Sequence, residues 1–310
     1  MTGATLGRLG YLTLVIVALT ACSPRLHPPG PATQSPKLTK DAVVMRDGAV
    51  LPLRVWTPEG DVKAVLLALH GFNDYSFFFQ SAGVYLAKQG VQVYAYDQRG
   101  FGKGPDHGFW PGKAAFADDL RDVTALLRQR HPGKSVHILG HSMGGAVVIT
   151  AMTSARPPAA DSIILAAPAV WGRATMPFYQ RWTLWLAVHT APGMTLSGRG
   201  LGIKASDNVD MLKALGRDPY FIKQTRVDAI WGLVNLMDWA LESSSRLKAK
   251  SLILYGDIDQ VIKKGPTDDM LARLPKDSHT LTRYQKGYHM LMRDLQAENV
   301  WRDIAAWVAN

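Results

Sequence analysis

Cysteine is almost absent from this chain. Its 310 residues include one, Cys22, which excludes an intramolecular disulfide and a cysteine-based metal site. The nine histidines form no recognisable metal-ligand spacing, so neither a metal nor another cofactor is expected. Long apolar runs are missing as well: Tyr11 to Ala21 is an uncharged stretch of eleven residues, whereas a membrane-spanning helix needs ~20. Acidic residues are outnumbered, with Asp+Glu of 25 against Lys+Arg of 35 and a net charge of +10. That balance favours anionic surfaces such as phospholipid head groups or nucleic acid, and equally fits a basic surface that is simply solvated. The basic residues are scattered, with no zinc finger, recognition helix or RNA-binding motif, so nucleic acid is not an expected partner. What is present in quantity is apolar residues, 47% of the chain, enough for one large core and an inserted subdomain.

The N-terminus has its own logic. Met1 to Gly10 carries Arg8 and no acidic residue, and the apolar run follows, which is a secretory signal pattern. The run ends in Leu19-Thr20-Ala21-Cys22, which resembles the bacterial lipobox, where lipid is attached to the cysteine and the chain is cut just before it. The resemblance implies a signal peptide over residues 1–21, lipid attachment at Cys22, and a place in the bacterial cell envelope, lipid-anchored on the periplasmic side of the inner or outer membrane. Simple secretion with an incidental cysteine is the alternative. Residues 22–41 follow as a tether: Pro24, Pro28, Pro29, Pro31 and Pro36 make this stretch stiff and hydrated, without the periodicity that builds a core.

Beyond the tether, short apolar runs alternate with longer amphipathic ones. Val43 to Arg46 and Val50 to Trp56 read as a hairpin around Asp47-Gly48. Val62 to Leu69, Val91 to Tyr96, Val136 to Leu139, Ser162 to Ala166 and Ser251 to Tyr255 suit strands buried on both faces of a mainly parallel sheet. Ser81 to Gln89, Ala114 to Arg130 and Met143 to Ser154 have helical periodicity. The second places Asp118, Asp119 and Asp122 early and Arg128 and Arg130 late, as the helix dipole favours. Alternation of this kind predicts a doubly wound α/β sheet. It breaks between Ala169 and Arg246, a tryptophan-rich stretch with several helical patterns, and resumes with a clean strand at Ser251. Residues 42–168 and 247–310 are therefore expected to form the core, and 169–246 a helical cap inserted into it.

The chemistry-bearing signal is Gly140-His141-Ser142-Met143-Gly144-Gly145, placed between a strand and a helix. G-x-S-x-G in that setting is a nucleophile elbow: small residues let the backbone bend sharply enough to lift the serine hydroxyl clear of the sheet. A serine needs a base, and the base needs an orienting carboxylate. Both are expected after the elbow, in loops that follow later strands. Gly256-Asp257-Ile258-Asp259 supplies the acid, with Asp259 favoured over Asp257, which lies nearer the strand end. Gly287-Tyr288-His289 supplies the base, with His289 better placed than His279 or His141. Two backbone donors should converge on the reacting oxygen. The N–H of Met143 follows the nucleophile directly; that of Phe72 lies in the loop His70-Gly71-Phe72-Asn73, where His70 reads as a brace. Asp97-Gln98-Arg99-Gly100 reads as a turn held by an Asp–Arg pair, and Phe77 to Phe79 suit either an acyl pocket or the core.

These motifs resemble the monoacylglycerol lipase and lysophospholipase branch of the α/β-hydrolases, often grouped with the serine aminopeptidase family. The resemblance is carried by His70-Gly71, Asp97 to Gly102, the Gly140 to Gly145 elbow, Gly256 to Asp259 and Gly287 to His289, and it spans Val62 to Asn310 apart from the cap. It implies an α/β-hydrolase fold, a mainly parallel sheet flanked by helices with an inserted helical cap. Residue by residue it implies Ser142 as nucleophile, Asp259 as acid, His289 as base, and Phe72 and Met143 as oxyanion donors. The chain departs from the pattern at Asn73-Asp74-Tyr75-Ser76, where relatives often have Glu-His-Ser. The implied activity is hydrolysis of carboxylic esters through an acyl-enzyme, with small-molecule or lipid esters as substrate and membrane contact through lipidated Cys22. Amide or peptide cleavage uses the same machinery, and a non-catalytic envelope binding protein of the same fold is a third class, which would not need all three of Ser142, Asp259 and His289.

Overall fold

The computed structural model describes residues 24–276 and 278–309. Cys22 and the signal segment lie outside them. In chain order the strands are β1 (Lys37–Leu38), β2 (Ala42–Val44), β3 (Val50–Trp56), β4 (Ala64–Leu69), β5 (Val91–Tyr96), β6 (Ser135–His141), β7 (Ser162–Ala166), β8 (Thr195–Leu196), β9 (Thr225–Arg226), β10 (Ser251–Gly256) and β11 (His279–Tyr284). The helices are α1 (Gln80–Lys88), α2 (Lys113–Arg130), α3 (Met143–Met152), α4 (Phe178–Thr190), α5 (Val209–Arg217), α6 (Val227–Ser243), α7 (Lys264–Arg273) and α8 (Ala297–Val308).

Nine strands form one sheet in the order β1-β2-β3-β5-β4-β6-β7-β10-β11. The pairs from β1 to β5 are antiparallel and all later ones parallel. This is the α/β-hydrolase architecture. Central strands are apolar throughout because both faces are covered: all six residues of β4 are buried. Their alternation decides which core each residue joins. Val65, Leu67 and Leu69 pack with Phe116 and Leu120 of α2, Val147 of α3 and Leu236 of α6, whereas Ala64, Leu66 and Ala68 pack with Leu86 of α1 and Val300 and Ile304 of α8.

Register positions the site. Leu69 pairs with Gly140, His141 with Ala166, Ala166 with Leu254, and Gly256 with Tyr284. The strands β4, β6, β10 and β11 therefore end along one edge of the sheet, and the loops that follow them open side by side, as open α/β sheets require of a ligand site.

Two regions differ from their sequence reading. The proline-rich stretch lies along the domain from His27 onward: the His27 N–H donates to the Trp110 carbonyl at 2.9 Å, and the Thr33 and Gln34 N–H groups to Arg46 at 2.8 and 3.1 Å. Lys37–Leu38 then adds an antiparallel edge strand, a path that proline's extended preference suits. Within residues 169–246, α6 buries Val227, Val234, Leu236, Met237 and Leu241 and packs against the elbow helix α3, so it belongs to the core layer as much as to the insertion. The more exposed elements are α4 and α5: α4 buries Val188 alone, and α5 buries nothing.

Candidate active site

Strand β6 runs directly into Ser142, which adopts φ 52° and ψ −116° before α3 begins at Met143. A non-glycine residue in this region is strained, and such strain persists where the surroundings over-determine it. Here the Ser142 N–H donates to the Ala166 carbonyl at 3.0 Å, and its own carbonyl accepts from Ala146 and Ala169. Gly144 lets the helix pass the end of β4, since a Cβ there would collide with the Leu69 backbone. Ser142 is 8% exposed, at the sheet edge.

The three loops meet at this hydroxyl. Ser142 Oγ donates to His289 Nε2 at 2.9 Å, and His289 Nδ1 donates to Asp259 Oδ2 at 2.8 Å. The other carboxylate oxygen, Oδ1, accepts the N–H groups of Val261 and Ile262 at 2.7 and 2.9 Å, which fixes the acid in its turn. Asp257 points elsewhere: it accepts from Arg283 Nε at 2.7 Å. With Nδ1–H committed to Asp259, the lone pair of Nε2 faces Ser142, the tautomer needed to take a proton from it.

The loop after β4 lies against the nucleophile. At Gly71, a Cβ would stand 3.2 Å from Ser142 Cβ, so a side chain there would crowd the reacting group. The Phe72 and Met143 N–H groups donate to no other protein group among the described residues, and Met143 opens α3, where the helix dipole favours negative charge. His70 is buried and braces this loop: Nδ1–H donates to the Gly71 carbonyl at 2.8 Å and Nε2 accepts the Gln98 N–H at 3.0 Å. Burial pushes its pKa down to about 4.

Some of the supporting shell was not read from sequence. His141 donates from Nε2 to the His289 carbonyl at 3.0 Å and stacks on Phe78 at 4.3 Å, so the elbow itself holds the loop of the base. Burial keeps it well below the usual imidazole range, hence neutral. Asp74 and Arg293 form a buried pair at 3.3 Å between the Phe72 loop and the His289 loop. The Asp97–Arg99 pair expected in the turn after β5 is not formed. Asp97 accepts the Ser76 and Lys103 N–H groups at 2.9 and 2.8 Å, while Arg99 reaches Asp119 at 2.6 Å and Asp47 at 2.8 Å. The turn is structural, but each member serves different partners: Asp97 binds backbone N–H groups within its own loop region, and Arg99 is held by two carboxylates. Of the phenylalanine run, Phe78 and Phe79 are core and Phe77 is 40% exposed.

A hydroxyl, imidazole and carboxylate in hydrogen-bonded series, beside two unengaged backbone donors, define a serine hydrolase. The family described as serine aminopeptidase, S33 matches residues 60–296, and the chain belongs to it. It is similar to the monoacylglycerol lipase of Mycolicibacterium smegmatis, at 24% identity over 83% of this chain and 91% of that one. Similarity to the monoglyceride lipase of Rattus norvegicus is 26% identity over 90% and 96% of the two chains. Among solved structures, the Paleococcus ferrophilus monoacylglycerol lipase superposes with a TM-score of 0.70 at 22% identity, covering 84% of this chain and 98% of that one. Fold, site and family together make this a carboxylic ester hydrolase.

Proposed function

We propose that the protein hydrolyses single-chain lipid esters, monoacylglycerols or lysophospholipid-like molecules, with Ser142 as nucleophile. The observation that carries this reading is the unbroken series Ser142–His289–Asp259, with the N–H groups of Phe72 and Met143 left without a protein acceptor among the described residues. Ser142 Oγ attacks the ester carbonyl while His289 Nε2 takes its proton. Asp259 holds the resulting imidazolium, and the two N–H groups meet the oxyanion. Collapse expels the alcohol, protonated by His289, and leaves an acyl-Ser142 that water hydrolyses by the same path.

The lipid class is supported by the relatives, named for monoacylglycerol and monoglyceride hydrolysis, and by the surface of the cap. Phe178, Trp182, Trp185 and Leu186 are 74%, 68%, 48% and 55% exposed. With Arg173, Arg181 and Trp231 the first three line a pocket of about 380 Å³. From Ser162 to Ser206 the chain has Arg173, Arg181, Arg199 and Lys204 and no acidic residue, so apolar and basic groups coincide, as a lipid surface favours. Assay against p-nitrophenyl esters of increasing chain length and against monoacylglycerols tests this. A preference for long single chains is expected; faster turnover of a matched amide would overturn the ester reading.

We also propose attachment of lipid at Cys22 and residence in the bacterial envelope. The lipobox-like sequence supports it, and four residues lie between Cys22 and His27, which limits the span from anchor to domain to roughly 18 Å. Metabolic incorporation of a fatty-acid analogue should disappear in Cys22→Ser; equal labelling of that variant would rule the cysteine out.

A further inference from the structure

The segment Asn73-Asp74-Tyr75 connects three parts of the molecule. Asn73 and Tyr75 are tied to the cap. The Asn73 carbonyl accepts the Ile222 N–H at 3.0 Å, its side chain donates to Thr225 Oγ1 at 2.7 Å, and Tyr75 Oη donates to Asp218 at 2.6 Å. The Tyr75 ring also packs edge-on against Tyr220 at 5.9 Å. Asp74, between them, turns to the core and pairs with Arg293, four residues beyond His289. Asn73 sits at φ 66°, in the left-handed region that asparagine tolerates better than most side chains. Asn73 adjoins Phe72, the assigned oxyanion donor, and the three partners of Asn73 and Tyr75, namely Ile222, Thr225 and Asp218, all lie in the 218–225 stretch that links α5 to α6.

We propose that Asn73 and Tyr75 are positioning residues through which the cap sets the Phe72 N–H of the oxyanion hole. The placement of the cap then governs the rate of the chemical step, not only the fit of the acyl chain. A backbone donor is effective only within a few tenths of an ångström of its target, and this loop has no regular secondary structure of its own to fix it. The hydrogen bonds to residues 218–225 supply what a strand or helix supplies elsewhere. The proposal rests on the assignment of Phe72 as an oxyanion donor.

The test uses the full chain with Tyr75→Phe, which removes only the hydroxyl, and Thr225→Val, which keeps the shape and removes the acceptor. Both should lower kcat by roughly 3- to 10-fold on an acetate ester and on a long-chain ester alike, with KM nearly unchanged. The rate of Ser142 labelling by a small fluorophosphonate, whose phosphoryl oxygen occupies the same hole, should fall by the same factor. Thr225→Ser, which retains the hydroxyl, should restore the wild-type kcat. Should Tyr75→Phe fail to fold, the Thr225 pair carries the test. An unchanged kcat on acetate, with a raised KM for the long ester alone, would overturn the proposal and make these contacts mere cap packing. An active Ser142→Ala would instead overturn the reading of the site itself, so the two failures are distinguishable.

Discussion

Strand β6 and helix α4 are both apolar in sequence and end in opposite settings. Every residue of β6 from Val136 to His141 is buried, whereas Trp182, Trp185 and Leu186 of α4 stand largely in solvent. The strand lies between β4 and β7 with helices on both faces; α4 packs mainly on α6. Apolar composition thus marks burial where neighbours surround an element. On an inserted helix with one neighbour it marks a surface that meets something else. On the proposed function the division is also one of roles: the triad stands on the sheet edge, and the exposed apolar groups that would meet an acyl chain stand on the cap.

The largest effects should come from the sheet edge. Ser142→Ala should lower kcat by at least about 1,000-fold with the fold retained, and His289→Ala should approach it, because the triad acts as a unit. Asp259→Asn should cost less, and Asp257→Asn, which disturbs a surface contact with Arg283, about twofold or less. Steady-state kinetics on one ester gives the order. A greater loss at Asp257 than at Asp259 would transfer the acid role.

The same contrast explains what could be read in advance. Strand and helix alternation placed the sheet, and the helices expected at Ser81–Gln89, Ala114–Arg130 and Met143–Ser154 appear at Gln80–Lys88, Lys113–Arg130 and Met143–Met152. The elbow, the acid loop and the base loop were readable because each follows a strand with short-range turn chemistry. What could not be read depends on contacts far apart in sequence. The partners of Arg99, Asp47 and Asp119, lie 52 and 20 residues away, and the His141–His289 bond spans 148. Periodicity could show that Val227–Ser243 is helical, but not that it would pack on the elbow helix.

Stability should divide along the same line. Ile138→Ala, in the fully buried β6, should cost ~2–5 kcal/mol, while Leu186→Ser, on the exposed face of α4, should stay within ~0.5 kcal/mol; denaturant unfolding measures both. Replacing Trp185 and Leu186 together by Ser should lower kcat/KM for a long-chain ester by roughly tenfold or more and leave an acetate ester within about twofold, since lost burial of ~1.5–3 kcal/mol per side chain acts only where an acyl chain makes contact. Equal losses on both esters with a lowered Tm would show that α4 is structural packing and erase the contrast.

The smallest effect is one of pH. Burial lowers the pKa of His70 to about 4 and holds His141 well below its ordinary 6.5. Both are neutral in the folded protein and take up protons near 6.5 once unfolded, so the unfolded state binds more protons in that interval. Their contribution is complete above pH 6.5 and is lost as pH falls toward 4. Tm should therefore drop between pH 7 and pH 5, and drop less in His70→Gln; an equal drop in that variant would mean that His70 does not titrate as its burial requires.

The central claim, that the chemistry resides on Ser142 at the sheet edge, is tested most directly by labelling the native chain with a fluorophosphonate and locating the adduct by peptide mass spectrometry. The account predicts a single phosphonyl group on the peptide that contains Gly140 to Gly145, at Ser142, together with complete loss of esterase activity. Label on another residue, or full activity with Ser142 modified, would contradict it.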